Sequence, residues 1–162
     1  MNQTHLHLLI THLPIFGLIL GGIVLSYGLS AKSNDTKIAS YLLFMISSIG
    51  AGIAYLTGEA AEETVEHIQG IVESNIKTHE EFALFAISSM IILGVVSILG
   101  VYLTYRKSLY TRTTAFIILT ISLVCFGLVA RTGYLGGQIR HTEIANNPNN
   151  SSEDSENEKE EE

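Results

Sequence analysis

Four stretches nearly free of charge constrain this chain more than any other feature. They run over residues 8–29, 38–57, 82–103 and 114–135. Each is close to the roughly 20 residues a helix needs to cross the hydrocarbon core of a bilayer. Backbone N–H and C=O groups in lipid must be satisfied within the chain, so all four are expected to be helices. The expected fold class is therefore an all-α membrane protein, a four-transmembrane-helix bundle whose main partner is the lipid bilayer. Charged residues are only 15% of the chain, against about 25% in soluble domains, which mix charge more evenly along the sequence. The net charge of -7 comes mainly from a C-terminal run of acids. No basic patch or aromatic platform suggests a nucleic-acid partner.

Small residues recur within every block. Gly17 and Gly21 form GxxxG in the first. Ser48, Gly52 and the Ala54/Gly58 pair mark the second, and Gly94, Ser97 and Gly100 the third. Gly133 and Gly137 form GxxxG in the fourth. Such spacing lets helices approach closely where apolar area drives no association. Cys125, the single cysteine, cannot form an internal disulfide or a Cys-based zinc site, and reads as a small buried hydrophobe.

Lys and Arg in short loops set orientation. Lys32 and Lys37 flank the first loop, and Arg106, Lys107 and Arg112 the third. The N-terminal segment has neither, and the long second loop has only Lys77. The first and third loops are expected in the cytoplasm and both termini outside; Arg131 and Arg140 weaken this without reversing it. The first block lacks the basic flank and cleavage site of a signal peptide and reads as a retained span.

The second loop, 58–78, has no strong breaker after Gly58, and Val65, Ile68 and Val72 recur at helical spacing. Either the second helix continues beyond the membrane, or a short amphipathic helix lies on its surface. Thr78-His79-Glu80-Glu81 reads as a capping box opening the third helix. Residues 1–144 form the expected transmembrane domain. Residues 145–162, rich in Asn, Ser, Glu and Asp, cannot bury enough apolar surface to fold and read as a disordered acidic tail.

This topology gathers the chemistry at one end. His5, His7 and His12 open the first helix, His67 lies in the outer loop, His79 opens the third helix and His141 closes the fourth. Glu59, Glu62, Glu63, Glu66, Glu80 and Glu81 share that end with Arg131, Tyr134 and Arg140. The opposite halves of the blocks carry hydroxyls but no carboxylate or histidine. A coupled carrier needs polar groups near the midplane and a path to both sides, so a one-sided outer site is expected. Neutral imidazole ligates many metals, haem iron included. His7 and His12 would point about 140° apart on a continuous helix. Pro14 suits a first helical turn, so Thr11 can be the N-cap and His7 can fold back toward His12. His5 and His67 read as ordinary interfacial residues, and Arg131 can equally snorkel outward.

His7-Leu-Leu-Ile-Thr-His12-Leu-Pro14 resembles the opening His-x4-His-Phe-Pro of a bacterial membrane family, domain of unknown function 2231. The resemblance continues through Leu56-Thr57-Gly58, His79, Thr132-Gly133-Tyr134-Leu135-Gly136-Gly137 and His141. Leu13 stands where that family has Phe, and Thr142-Glu143-Ile144 replaces a Gly- and Val-rich ending. The resemblance implies His7, His12, His79 and His141 as the functional histidines. It also implies the bacterial inner membrane, and redox neighbours of the cytochrome c or Rieske type.

Three readings stand open at this stage. The first is a b-type haem electron carrier rather than a stand-alone enzyme. It is ligated by His12 with His79, with His7 and His141 as a second pair. Arg131 and Arg140 would meet the propionates, and Tyr134 would hydrogen-bond nearby. The second is a non-haem Cu, Zn or Fe site built from His7, His12, His79 and His141 with Glu59 or Glu80. The third is a structural subunit of a membrane redox complex, with homo-oligomers also open to such a bundle.

Overall fold

The computed structural model describes residue 7 and residues 9–65 and 73–145, with side chains for 7, 9–58 and 76–137. His5, His67 and the acidic tail beyond Ala145 lie outside the described residues. So do the side chains of Glu59, Arg140 and His141. Within the described residues the chain is all helix: α1 (His12–Ser30), α2 (Asn34–Val65), α3 (Glu73–Tyr105) and α4 (Thr111–Ala145). Each is long and apolar enough to cross a membrane, as the charge-free blocks led us to expect.

Two short turns join α1 to α2 and α3 to α4, and they share one chemistry. Lys32 and Lys107 both take positive φ, 53° and 51°. The next residue closes each turn: Ser33 N–H bonds Gly28 O at 3.0 Å and Ser108 N–H bonds Leu103 O at 3.0 Å. This is the Schellman pattern, in which a left-handed residue lets the last carbonyls of a helix find donors. Ser33 then caps α2, its Oγ accepting from Thr36 N–H at 3.3 Å. Turns this short make α1/α2 and α3/α4 antiparallel hairpins. α1 packs on α2, α2 on α3, α3 on α4 and α4 back on α1, closing a ring.

The core is built where small residues meet large ones. Gly17 faces Ser47, and Gly21 lies under the Phe44 ring. Gly94 receives Ser48, whose Oγ donates to Met90 O at 2.7 Å, a hydrogen bond between α2 and α3. Leu25, Phe44, Met90, Leu93 and Ile118 are fully buried, and so is Cys125, in keeping with its reading as a small hydrophobe. The outward faces are equally apolar: Phe16, Ile23, Phe85, Val95, Leu123 and Val124 are all exposed. Helices apolar on all sides in a bundle of this size require lipid as their solvent.

Some local expectations are corrected. Thr78 is no N-cap, because α3 begins at Glu73 and Thr78 sits inside it. α2 runs on to Val65, the first of the two forms foreseen for the second loop. Thr11 precedes α1 but is itself helical in φ and ψ, and its side chain makes no capping bond. The segment ahead of it is a helical turn, with Thr11 N–H bonded to His7 O at 3.0 Å. Helical continuity carries His7 away from His12. The GxxxG of α4 is not a helix contact either. A Cβ on Gly137 would meet nothing within 4 Å, and one on Gly133 only Ile15 Cδ1 at 4.0 Å.

Candidate functional site

At the histidine end, all four helices contribute to one pocket of about 340 Å³. Cofactor and small-molecule sites occupy about 300–1,000 Å³ and are mostly apolar with a few placed polar groups. The apolar wall here comes from Ile15, Ala51, Ile87, Met90 and Val129. The polar groups are His7, Thr11, His79, Glu80 and Thr132.

The two histidines are held in the same way. His7 Nδ1 lies 2.9 Å from Ala54 O and His79 Nδ1 lies 3.0 Å from Thr132 O. A main-chain carbonyl can only accept, so Nδ1 carries the proton in both rings. Nε2 is then the lone-pair nitrogen. Thr57 reinforces the first arrangement: its Oγ1 lies 3.2 Å from His7 Nδ1 and 3.1 Å from Ala54 O. A donor Nδ1 fixed by a carbonyl is the usual support of a metal-ligating imidazole.

The correspondence extends one turn further. The glycine four residues after each accepting carbonyl lies against the Cε1 edge of the ring. A Cβ at Gly58 would stand 3.4 Å from His7 Cε1, and one at Gly136 3.2 Å from His79 Cε1. Each hairpin thus contributes a histidine ahead of its first helix or in its opening turns. It also contributes a Lys-Ser turn, a carbonyl in the second half of its second helix, and a glycine four residues on. α1/α2 and α3/α4 thus share one set of local features, and the pocket is lined from both hairpins. The recurrence of Lys-Ser at 32–33 and 107–108 was the sequence signal for this correspondence.

The other candidate residues fall elsewhere. His12 is exposed and lies outside the pocket lining; its ring stacks on Phe16, with centroids 6.3 Å apart and planes 18° apart. Arg131 is exposed on α4 between two rings, 5.7 Å from the Phe82 centroid and 5.5 Å from that of Tyr134. Both Arg131 and Tyr134 are outside the lining, on the outer face of the bundle, and cation–π contact accounts for the placement of the arginine. Glu80 reaches the pocket edge. The α4 backbone carries Arg140 and His141 beyond Gly137, and the α2 backbone carries Glu59 just beyond Gly58. Among the described residues, no three His, Cys, Asp or Glu side chains form a group able to hold a metal ion.

Compared with protein-family models, curated proteins and solved structures, the chain matches none.

Proposed function

We propose that this chain is an integral membrane b-type haem protein that carries electrons, in which His7 and His79 would hold the haem. One observation carries the reading: two imidazoles from different hairpins line a single apolar pocket, each with Nδ1 committed to a carbonyl and Nε2 left as the ligand nitrogen. Two such nitrogens would suit a haem, whose porphyrin supplies the iron's other donors. A non-haem ion asks for three or four protein donors. When bound, haem would supply reversible one-electron chemistry. The residues of the chain would bind and orient it: Thr57 and the Ala54 and Thr132 carbonyls fix the tautomers, Gly58 and Gly136 leave room for the rings, and Ile15, Ile87, Met90 and Val129 exclude water.

In this reading the Lys- and Arg-bearing turns face the cytoplasm and the pocket lies toward the periplasmic side of the inner membrane. Partners of the cytochrome c or Rieske type, implied by the motif resemblance, would dock there.

The same hydrogen bonds favour a second reading. They also tie the segment before α1 to α2, and α3 to α4, as in a purely structural subunit. A spectrum of the detergent-purified protein from haem-replete cells separates the two. The haem reading expects a low-spin bis-imidazole spectrum, lost or converted in His7→Ala and in His79→Ala and retained in His12→Ala. Pure protein without porphyrin absorbance, even after haem supplementation, would leave the structural reading.

A further inference from the structure

Arg131 is a charged side chain with no part in the pocket. It lies on α4 six residues, about 9 Å along the axis, inside the Gly137 end of the apolar span. Ionisable residues within membrane spans almost always face the bundle interior or a water-filled cavity. Arg131 is instead exposed on the outer face.

Two helices hold it there. Its guanidinium carbon lies 5.7 Å from the Phe82 centroid on α3 and 5.5 Å from that of Tyr134 on α4. Ring faces attract the cation but answer its five N–H donors only weakly. Among the described side chains no carboxylate pairs with it, not even Glu80 or Glu81 just ahead of Phe82. The clamp therefore fixes a planar donor fork at the lipid-facing surface, and such a fork pairs bidentately with phosphate oxygens.

An apolar groove continues from the clamp toward the midplane. α3 and α4 are antiparallel, so Phe85 and Gly127 lie about one turn deeper than Phe82 and Arg131, on the same faces of their helices. Phe85 is 64% exposed, and a Cβ on Gly127 would meet nothing within 4 Å. Val124, also exposed, follows Gly127 inward on α4. The cation and the groove match the two parts of one amphiphile: a phosphate at the clamp and a hydrocarbon chain lying over the glycine.

We infer that Arg131, Phe82 and Tyr134, with Gly127 below them, form a binding site for a phospholipid of the leaflet at the histidine end. Arg131 takes the lipid phosphate, the two rings hold the guanidinium in place, and the first part of an acyl chain lies along Gly127 between Phe85 and Val124. The site is on the outside of the α3/α4 hairpin, apart from the pocket, and does not depend on what the pocket binds.

Native mass spectrometry of the intact, delipidated protein in detergent tests this, with dioleoylphosphatidylglycerol as the probe. The unaltered protein should retain one lipid well above the level reached with dioleoylglycerol, which has the same chains and no phosphate. Inorganic phosphate should not displace it. Arg131→Gln should lower that first adduct several-fold, and so should Gly127→Leu, which fills the groove without meeting a neighbour. Arg112→Gln should leave it unchanged, since Arg112 rests on one ring only, Phe116 at 5.8 Å, at the other end of α4. An adduct undiminished in Arg131→Gln, or lost equally in Arg112→Gln, would overturn the site. So would equal retention of dioleoylglycerol, or displacement by inorganic phosphate. The comparison of the two lipids on the unaltered protein stands even if a variant does not fold.

Discussion

A side chain's depth in the pocket, rather than its place in a motif, separates the histidines. His7 and His79 have their Nδ1 atoms fixed on carbonyls, whereas His12 stacks outward on Phe16. Two adjacent glycines on α4 offer a sharp comparison. Gly136→Ala would bring a methyl within 3.2 Å of His79 Cε1, while the same change at Gly137 meets nothing within 4 Å. Under the haem reading, Gly136→Ala should displace the ring and broaden or shift the Soret band, and Gly137→Ala should leave it unchanged. A spectrum of G136A identical to that of the unaltered protein would argue against His79 as a ligand. Ser48→Ala removes the α2–α3 bond to Met90 O. It should cost about 0.6 kcal/mol, the average for hydrogen bonds between membrane helices, and no more than about 1.7, in a reversible SDS-unfolding titration.

At the level of helices and turns, glycine acts by position. Gly21 is covered by the Phe44 ring, 2.5 Å from where a Cβ would stand, while Gly22 faces open space. Gly21→Ala should therefore destabilise by about 1–3 kcal/mol, as overpacking does. Gly22→Ala should be neutral or mildly stabilising, since Ala is the better helix former. The two unfolding curves, measured side by side, check the pair. The Lys-Ser turns allow a converse change. Lys32 and Lys107 hold a left-handed conformation that costs a non-glycine residue about 1 kcal/mol. Lys107→Gly should therefore raise the unfolding midpoint slightly, with the Ser108 to Leu103 bond intact. A lower midpoint would mean that the lysine side chain contributes more than its backbone strain.

For the whole molecule, the arrangement is two hairpins facing one another, with the pocket at one end and the short turns at the other. Leu109, 97% exposed in the second short turn, and Gly137, exposed beyond the pocket on α4, lie toward opposite ends. On a Cys125→Ala background, the proposed orientation expects Leu109→Cys to react with a membrane-impermeant maleimide only from the cytoplasmic side. Gly137→Cys should react in intact spheroplasts. The reverse pattern would turn the bundle over and place the pocket on the cytoplasmic face.

The sequence alone determined the four helices and their lipid setting, because length and lack of charge suffice for that wherever backbone groups must be satisfied internally. It also determined that His7, His12 and His79 gather at one end, because short turns make neighbouring helices antiparallel. Which histidines face inward was decided only by tertiary structure. A long apolar helix following directly on His12 favoured it as the partner of His79, but a continuous helical turn through Thr11 puts His7 against α2 and leaves His12 on the outer face. The fate of each glycine was likewise invisible in the sequence. Gly133 and Gly137 have the same spacing as Gly17 and Gly21, yet only the second pair has a helix packed on it, since rotation about a helix axis is set by its neighbours.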